Sequence, residues 1–511
     1  MRKNLKIKVL SKASFTCLAV YFILGSCAPK RTKSELVWDI SLPVIGSQSS
    51  PRAADLNGDG VLDLVMGAGK NEFQASDQGI IAIDGKTGEL LWQQGAPDQV
   101  YGAATFFDIT GDGVQDVFIG GRSPNLKALD GKTGEVLWQY QYPYENDPIL
   151  QHARFNFYNL ALIPDQNNDG IPDLLTVNGG NAEAEPDSED NRYPGVLMVL
   201  DAKTGQVLAA DTMPDGKESY MSPLCSAQPG SPEHHILFGT GGETIDGHLY
   251  LARLSDLMEK KLARAKIIAS EKGHGFISTP VLADINKDGQ YDIVAISHGS
   301  TVFALDGGDQ KVLWSRNIPG TESSNSFAVG YFTDDDIPDF FTFVSKGVWP
   351  ANTGTLQLML DGKDGKIAYQ NELGCSGFSS PVAYDLNGDG REEVILSINE
   401  YDCSRDLADQ SSFPIENKLL AIDFKKKSVS TIDQTPGFKN IFSTPWIGDL
   451  DGDGYLDLVH CQYYNHSDLL SFLGMRIKRI ATPVQVKKAP VWGAYMGSKG
   501  DGLFRVPGKA N

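Results

Sequence analysis

The sequence is poor in the features that mark zinc proteins and nucleic-acid-binding proteins, and it lacks the common catalytic motifs. It has 6 cysteines among 511 residues, and no C-x-x-C pair or Cys/His set has the spacing of a structural zinc site. Lys and Arg number 45 against 65 Asp and Glu, which argues against nucleic acid as a partner because phosphate contacts need clustered basic residues. No G-x-S-x-G elbow, P-loop or H-E-x-x-H pair occurs. These absences favour a non-catalytic protein, although an active site that needs no linear motif is compatible with them.

The N-terminal segment has the order of a secretory signal. A basic start precedes an apolar run over residues 13–24, and this run is too short to span a bilayer as a helix. It ends in Leu24-Gly-Ser-Cys27, which resembles the lipobox of bacterial lipoproteins. The resemblance implies a signal peptide over residues 1–26, lipidation of Cys27 and a polar tether over residues 27–34. Because Ala28 and not Asp follows the cysteine, the resemblance further implies the outer rather than the inner membrane, and the lack of an acidic stretch after Cys27 favours the periplasmic side over the cell surface.

An acidic nine-residue motif recurs along the rest of the chain. Intact copies start at residues 55, 108, 165, 284, 385 and 449, and a decayed copy starts at Tyr331. The intervals between these starts are 47 to 64 residues, except for one of 119 between residues 165 and 284. That gap is two periods, so we expect a repeat without an acidic loop near Ser222. The chain therefore contains eight repeat units.

A second motif alternates with the first and supplies a tight turn. It reads Asp84-Gly-Lys-Thr-Gly-Glu-Leu-Leu-Trp92, returns at Asp130 to Trp138, and has weaker copies at Asp201, Asp306 and Asp361. Apolar residues flank both motifs, so each unit is predicted to form two hairpins, or four short strands. Eight such units predict an all-β fold, a single eight-bladed β-propeller over residues 35–511 with a C-terminal closing segment; seven blades are the alternative.

The N-terminal strand and one other segment stand outside this pattern. Leu36 to Ile40 resembles the outer strand of the other units and has no acidic loop before it, so we expect it to complete the last blade and close the ring. Leu251 to Lys266 is the one segment in which a helix is predicted.

The two motifs resemble the repeats of two known propeller families. The acidic repeat is similar to the FG-GAP or VCBS repeats of integrin-α-like propellers, and the Asp-x-x-Thr-Gly-x-x-x-Trp repeat is similar to pyrroloquinoline-quinone-type repeats. Together they cover roughly residues 36 to 480. Both are shared by enzymes and non-enzymes, so the resemblance implies the architecture and not the function.

The acidic motif has the ligand pattern of a calcium loop. Side-chain oxygens at positions 1, 3, 5 and 9 and the carbonyl of position 7 can converge on one ion, and glycine at position 6 permits the sharp turn. The alternative is a set of turns in which Asp and Asn bond their own backbone. We expect several structural calcium ions, without a catalytic role. The predicted ligands are Asp55, Asn57, Asp59, Asp63, Asp108, Thr110, Asp112, Asp116, Asp165, Asn167, Asp169, Asp173, Asp284, Asn286, Asp288, Asp292, Asp385, Asn387, Asp389, Glu393, Asp449, Asp451, Asp453 and Asp457.

Ligands of propellers usually bind on the face opposite such loops, around the central channel. Aromatic and polar residues in the connections of that face suit a protein or glycan partner; the alternative is that the aromatic residues fill the channel. The candidate ligand-binding residues are Tyr101, Arg122, His152, Arg154, Tyr158, Glu243, His274 and Phe276.

Three functions are compatible with this pattern. The leading one is a calcium-stabilised binding or scaffolding module in the cell envelope, similar in architecture to the lipoprotein propeller of the outer-membrane assembly machinery. The second is a polysaccharide lyase on an eight-bladed propeller, for which His152, Arg154 and His274 would supply the base and the charge-neutralising groups. The third is a quinone enzyme; the adjacent cysteines typical of that family do not occur in this sequence.

One disulfide is expected. Cys375 and Cys403 flank the two inner strands of one blade on the same face, because an antiparallel hairpin returns to its starting edge. Cys225 and Cys461 belong to blades about half a ring apart, which is too far for a bond.

Overall fold

The protein is a closed ring of eight antiparallel sheets. The computed structural model describes residues 31–348, 351–404, 414–465 and 471–505. The predicted signal peptide over residues 1–26 and the predicted lipidation site Cys27 lie outside the described residues. In the described part, no helix is long and apolar enough to cross a membrane. The predicted eight-bladed propeller is confirmed, and the seven-bladed alternative is wrong.

Each sheet is one blade, and its strands follow one another outward from the central channel. Blade 1 contains β2 (Arg52–Ala54), β3 (Asp63–Gly67), β4 (Ser76–Ile83) and β5 (Leu90–Ala96). Blade 2 contains β6 (Thr105–Phe107), β7 (Asp116–Gly120), β8 (Leu126–Leu129) and β9 (Val136–Gln139). Blade 3 contains β10 (Asn156–Phe157), β11 (Ala161–Ile163), β12 (Asp173–Gly179), β13 (Val196–Leu200) and β14 (Val207–Thr212). Blade 4 contains β15 (Leu224–Ala227), β16 (His234–Gly239), β17 (Gly247–Arg253) and β18 (Lys266–Glu271).

The second half of the ring repeats this arrangement. Blade 5 contains β19 (Val281–Ala283), β20 (Asp292–Ile296), β21 (Thr301–Leu305) and β22 (Val312–Asn317). Blade 6 contains β23 (Thr321–Glu322), β24 (Ala328–Gly330), β25 (Asp339–Lys346), β26 (Thr355–Leu360) and β27 (Ile367–Glu372). Blade 7 contains β28 (Val382–Tyr384), β29 (Glu393–Glu400), β30 (Glu416–Asp423) and β31 (Ser428–Pro436). Blade 8 contains β32 (Trp446–Gly448), β33 (Tyr455–Tyr464), β34 (Gly474–Gln485) and, as its outer strand, β1 (Glu35–Pro43).

The N-terminal strand closes the ring, as the sequence predicts. β1 pairs antiparallel with β34 from Glu35 opposite Ala481 to Pro43 opposite Gly474. The first and last parts of the propeller thus share one sheet, so the ring opens only if this sheet comes apart.

A circle of hydrogen bonds joins the inner strands of all eight blades around the channel. Short polar side chains just before the inner strands form hydrogen bonds with backbone groups of a neighbouring blade. The bonds are Ser49 to Gly102 O (2.7 Å), Ala103 N to Asn159 (2.8 Å), Asn159 N to Ser222 (3.3 Å), Thr279 to Ser222 O (3.4 Å), Ser326 to Thr279 O (2.7 Å), Ser326 N to Ser380 (3.0 Å), Ser380 N to Thr444 (3.1 Å) and Thr444 N to Ser50 (3.0 Å). Because these groups are buried, each bond satisfies a donor or acceptor that water does not reach.

The second sequence motif holds neighbouring blades together at their outer edge. Trp92 of blade 1 donates its indole N–H to the carbonyl of Gly131 in the turn of blade 2, at 2.8 Å. The later glycine of that turn, Gly134, has φ +73°, and a Cβ there would lie 2.7 Å from the Trp92 ring. The motif therefore needs glycine for two reasons, the left-handed backbone and the close approach of the indole. Equivalent bonds are made by Trp38, Trp138 and Trp314.

Between blades 3 and 4 a helical segment takes the place of this tryptophan contact. The helix predicted over Leu251 to Lys266 is shorter in the structure, with α1 at Leu254–Met258 and a 3-10 turn at Leu262–Arg264, while both ends belong to strands. α1 packs on β14, and Leu257 and Leu262 are fully buried there.

The C-terminal segment, residues 489–505, fills the central channel and does not add a strand to a blade. Trp492 is buried, donates to Phe327 O at 2.7 Å and bridges Ala383 of β28. From blade 1, the Arg52 guanidinium donates to the carbonyls of Tyr495 and Gly497, at 2.5 and 3.1 Å. The closing role expected of this segment is thus that of a plug.

Candidate functional site: the two faces of the ring

The acidic loops all connect the first and second strands of their blades, so they share one face, the loop face. In the first loop, Asp55 accepts hydrogen bonds from the amides of Gly58 and Gly60, at 2.8 and 3.1 Å. Asn57 and Asp59 each accept from the amide two residues further on, at 2.9 Å. The same pattern curls the loops that start at Asp165 and Asp385. These bonds form in a self-capped turn as well as in an ion-binding loop, so they do not by themselves distinguish the two.

The ninth residue of each motif is buried and ties the two hairpins of its blade together. Asp63 accepts from the amides of Leu56 (2.9 Å) and Gly85 (3.0 Å), which belong to the acidic loop and to the turn of the second motif. Burial raises the pKa of Asp63 to about 6 and that of Glu393 to about 7. A buried carboxylate close to other acids is stabilised by a nearby cation. A calcium ion bound in the loop would provide that cation.

Two further observations bear on whether these loops fit calcium. Asp284 Oδ1 and Asp449 Oδ1, at the first position of their loops, are buried and accept no hydrogen bond within the described residues. An unpartnered buried carboxylate oxygen at this position fits an ion ligand. The carboxylates of Asp449, Asp451 and Asp453 lie within 4.8 Å of one another, which is the distance of a shared ion.

Arginines already neutralise part of the acidic loop of blade 8, which starts at Asp449. The buried guanidinium of Arg479 lies 2.5 Å from Asp451 and 3.0 Å from Asp457, and Arg31 lies 2.8 Å from Asp453. These two arginines balance part of the charge of Asp451, Asp453 and Asp457 without an ion, so calcium fits the other five intact loops better.

The decayed loop of blade 6 is held by its neighbour. Arg391 of blade 7 donates to Asp335 O at 3.0 Å, and Glu392 accepts from the amide of Tyr331 at 2.7 Å. The Arg391 guanidinium thus supplies positive charge at this loop, where an intact loop would bind a cation.

The opposite face contains the connections between blades and those between the second and third strands. At blades 1 and 2, Arg122 lies over the Tyr101 ring at 4.9 Å and over Phe73 at 5.8 Å. Its guanidinium donates to Glu72 at 2.7 Å, and the Tyr101 hydroxyl donates to the same carboxylate at 2.9 Å. Burial lowers the pKa of Arg122, but Tyr101 and Glu72 outweigh it and hold that pKa above its usual value. The structure therefore brings two predicted residues together and adds Glu72 and Phe73.

A second cluster follows at blades 3 and 4. The rings of Tyr158 and Tyr220 lie 6.4 Å apart, and Arg192 forms an ion pair with the buried carboxylate of Glu218. Burial raises the pKa of Glu218, although Arg192 opposes the shift. Tyr158 and the exposed Glu243 were predicted; Arg192, Glu218 and Tyr220 were missed, because nothing in their local sequence sets them apart from ordinary turn residues.

His152 and Arg154 meet on an aromatic ring that the sequence did not single out. Arg154 lies 4.1 Å above the Tyr193 ring, and Phe155 stacks on the same ring at 5.7 Å. The His152 ring lies 6.3 Å from it, and burial together with Arg154 lowers the pKa of His152. The length of the connection over residues 180–195, which carries Tyr193, was the available signal.

Two other predicted residues lie elsewhere. Phe276 is 0% exposed and belongs to the hydrophobic core shared by blades 3, 4 and 5, so its assignment as a ligand-binding residue is wrong; a phenylalanine in a connection packs inward where the next inner strand begins. His274 contacts Glu243 and His298, and its contacts in the described residues do not include His152 or Arg154.

A concavity lies on the loop face. It has a volume of about 830 Å³ and lies beside the plug. Acidic residues of the loops line one side, Asp385 and Glu392 among them, and Lys487 and Lys488 line the other.

The insert from Glu400 to Asn417 is described only at its ends. There the structure joins Cys375 and Cys403 by a disulfide, with their Cα atoms 5.1 Å apart, while Cys225 and Cys461 are free.

The fold and these motifs define a β-propeller with pyrroloquinoline-quinone-like repeats. The family model of the FAM234A/B β-propeller matches residues 68–387, and the chain belongs to this family. No curated protein matches the sequence.

Solved structures share the fold at low identity. A europium-containing methanol dehydrogenase is 10% identical with a TM-score of 0.56, over 88% of this chain and 93% of that one. The quinohemoprotein alcohol dehydrogenase from Comamonas testosteroni is 11% identical with a TM-score of 0.51, over 89% and 77%. BamB from Moraxella catarrhalis is 13% identical with a TM-score of 0.45, over 87% and 99%. At these identities the likeness shows the fold alone.

Proposed function

We propose that this chain is a calcium-stabilised, lipid-anchored β-propeller that binds a protein or glycan partner on its opposite face. The observation that carries the proposal is the cluster of Phe73, Tyr101 and Arg122 around Glu72, which presents an aromatic and charged surface assembled from two blades. Phe73 is 56% exposed. A large aromatic residue exposed beside a fixed arginine is typical of binding surfaces.

The filled channel supports binding over the face rather than chemistry within the ring. Trp492 and Tyr495 occupy the space along the axis and are fixed by hydrogen bonds to inner strands. A ligand that approaches the opposite face therefore meets the connections between strands, which differ from blade to blade in length and composition. Variable connections on a rigid ring are a common way to create a specific binding surface.

The geometry gives no specific support to the lyase alternative. His152 and Arg154 share the Tyr193 ring, whereas His274 is bonded to Glu243 and faces His298. A lyase site would need all three in one cleft.

The anchor and the cell compartment rest on the sequence. Leu24-Gly-Ser-Cys27 supports removal of residues 1–26 and lipidation of Cys27. Ala28 after the cysteine supports the outer rather than the inner membrane, and the basic rather than acidic residues that follow support its periplasmic side. The tether would then hold the ring close to the membrane, since residues 27–34 lead directly into β1.

The calcium ions would be structural. The side chains at positions 1, 3, 5 and 9 of five loops would hold them, and the ions would offset the repulsion among these acids. These loops start at Asp55, Asp108, Asp165, Asp284 and Asp385.

A photo-crosslinking comparison tests the binding face. A photoreactive phenylalanine analogue replaces Phe73 on the opposite face, and in a matched variant it replaces the exposed Lys132 on the loop face. In intact cells of the native host we expect adducts of defined mass at position 73 and none at position 132, with the captured partner identified by mass spectrometry. Equal labelling at both positions, or none at position 73, would contradict the proposal.

A further inference from the structure

Three side chains that commonly bind metals meet on the opposite face, apart from the acidic loops. His274 precedes β19, His298 follows β20, and Glu322 ends β23. One nitrogen from each ring and one carboxylate oxygen all lie within 4.8 Å of one another. The two ring centroids are 5.6 Å apart, and His298 Nε2 lies 3.7 Å from Glu322 Oε2.

Hydrogen bonds place the proton on Nδ1 of both imidazole rings. His274 Nδ1 lies 2.6 Å from Glu243 O, and His298 Nδ1 lies 3.1 Å from Ser323 O. A backbone carbonyl only accepts, so Nδ1 donates in each case and the neutral ring presents the lone pair of Nε2. A histidine held through Nδ1 by a carbonyl is the usual arrangement of a metal ligand.

One buried nitrogen of this cluster has no hydrogen-bond partner among the described residues. His298 is 2% exposed and Glu322 is 5% exposed, and that nitrogen is His298 Nε2. Its neighbour is a carboxylate, which also presents lone pairs. The 3.7 Å between His298 Nε2 and Glu322 Oε2 is longer than a hydrogen bond.

We propose that His274, His298 and Glu322 form a site for a divalent transition-metal ion of the Zn²⁺ type. Two imidazoles and one carboxylate suit Zn²⁺, whereas Ca²⁺ and Mg²⁺ prefer oxygen ligands alone. Ligand bonds of about 2.0–2.2 Å require the three atoms to approach one another by a side-chain adjustment, and His274 is only half-buried.

The site is built from three separate connections, so no sequence spacing reveals it. Gly299 contributes by its lack of a side chain, since a Cβ there would lie 2.8 Å from Cδ2 of His274. Three protein ligands leave one coordination position open on the side of His274. This position can hold water or a side chain of a partner on the same face.

Zinc titration of the full chain tests the site. Excess Ca²⁺ is kept present to occupy the acidic loops, and Zn²⁺ binding is measured by competition with a chromophoric chelator. We expect one tight Zn²⁺ equivalent, and binding weaker by at least about tenfold in His274→Ala and in Glu322→Gln. His248→Ala is the matched control, because its ring contacts Ser270 and Tyr250 and lies outside the cluster; it should bind as the wild type does.

Two results would overturn the site. One is absence of a tight equivalent in the wild-type chain, as expected if the cluster is only an ion pair. The other is zinc affinity in His274→Ala equal to that of His248→Ala. Circular dichroism of the metal-free variants shows that a loss is not unfolding, and Co²⁺ loading provides a second readout through its visible absorption.

Discussion

The contact between Trp92 and Gly134 is expected to be a principal stabilising element between blades 1 and 2. In Gly134→Ala, two effects add. A non-glycine residue at φ +73° costs about 1–2 kcal/mol, and a methyl group 2.7 Å from the buried indole costs about 1–3 kcal/mol more through overpacking. The free energy of unfolding should therefore fall by about 2–5 kcal/mol.

Gly216 offers a matched control for the backbone effect. Its φ is +72°, and a Cβ there meets nothing within 4 Å. Gly216→Ala should thus show the cost of the left-handed backbone alone, about 1–2 kcal/mol. In a Trp92→Ala background the overlap disappears, so Gly134→Ala should then cost no more than Gly216→Ala.

Urea unfolding of calcium-loaded protein, followed by far-ultraviolet circular dichroism, measures these differences as a double-mutant cycle. The expected coupling between positions 92 and 134 is about 1–3 kcal/mol, the size of the overlap term. A Gly134→Ala variant as stable as Gly216→Ala, or a cost that Trp92→Ala leaves unchanged, would refute the packing argument.

Three further predictions concern covalent structure, chemistry and placement. Thiol counting on the unfolded, non-reduced body (residues 35–511) should give two thiols, because Cys375 and Cys403 are paired; four would refute the bond. Incubation with acidic polysaccharides should produce no ultraviolet absorbance from unsaturated products, and product formation that is lost in His152→Ala or Arg154→Ala would instead support a lyase. Protease treatment of intact cells should leave the protein uncut, as expected on the periplasmic side, whereas rapid digestion would place it on the cell surface.

The blades could be predicted because the repeated motifs act locally. The turn from Asp130 to Trp138 specifies its own hairpin through glycine at positive φ, and the indole N–H needs only the turn of the next blade. The acidic motif likewise curls through bonds within its own nine residues. Local chemistry that recurs every 47 to 64 residues therefore indicates both the structure of a blade and the number of blades in the ring.

The plug and the clusters of the opposite face depend on contacts that exist only in the closed ring. Residues 489–505 carry no repeat, and their hydrogen bonds to Arg52 and Ala383 join the end of the chain to distant inner strands. The sequence has no Cys/His set with the spacing of a structural zinc site. Such spacing cannot reveal ligands such as His274 and Glu322, which separate connections bring together. Phe276 shows the same limit, because its inward orientation follows from packing between blades.

The claim that the acidic repeats are calcium sites is tested most directly by counting the ions. The full chain is equilibrated with Ca²⁺, freed of unbound ions by gel filtration and analysed for elemental calcium per polypeptide. We expect five ions, one for each intact loop without a bound arginine, and a large fall in melting temperature after chelation, since an ion that binds only the folded state stabilises it. Less than one calcium per chain would contradict the account, and the loops would then be turns held by their own hydrogen bonds.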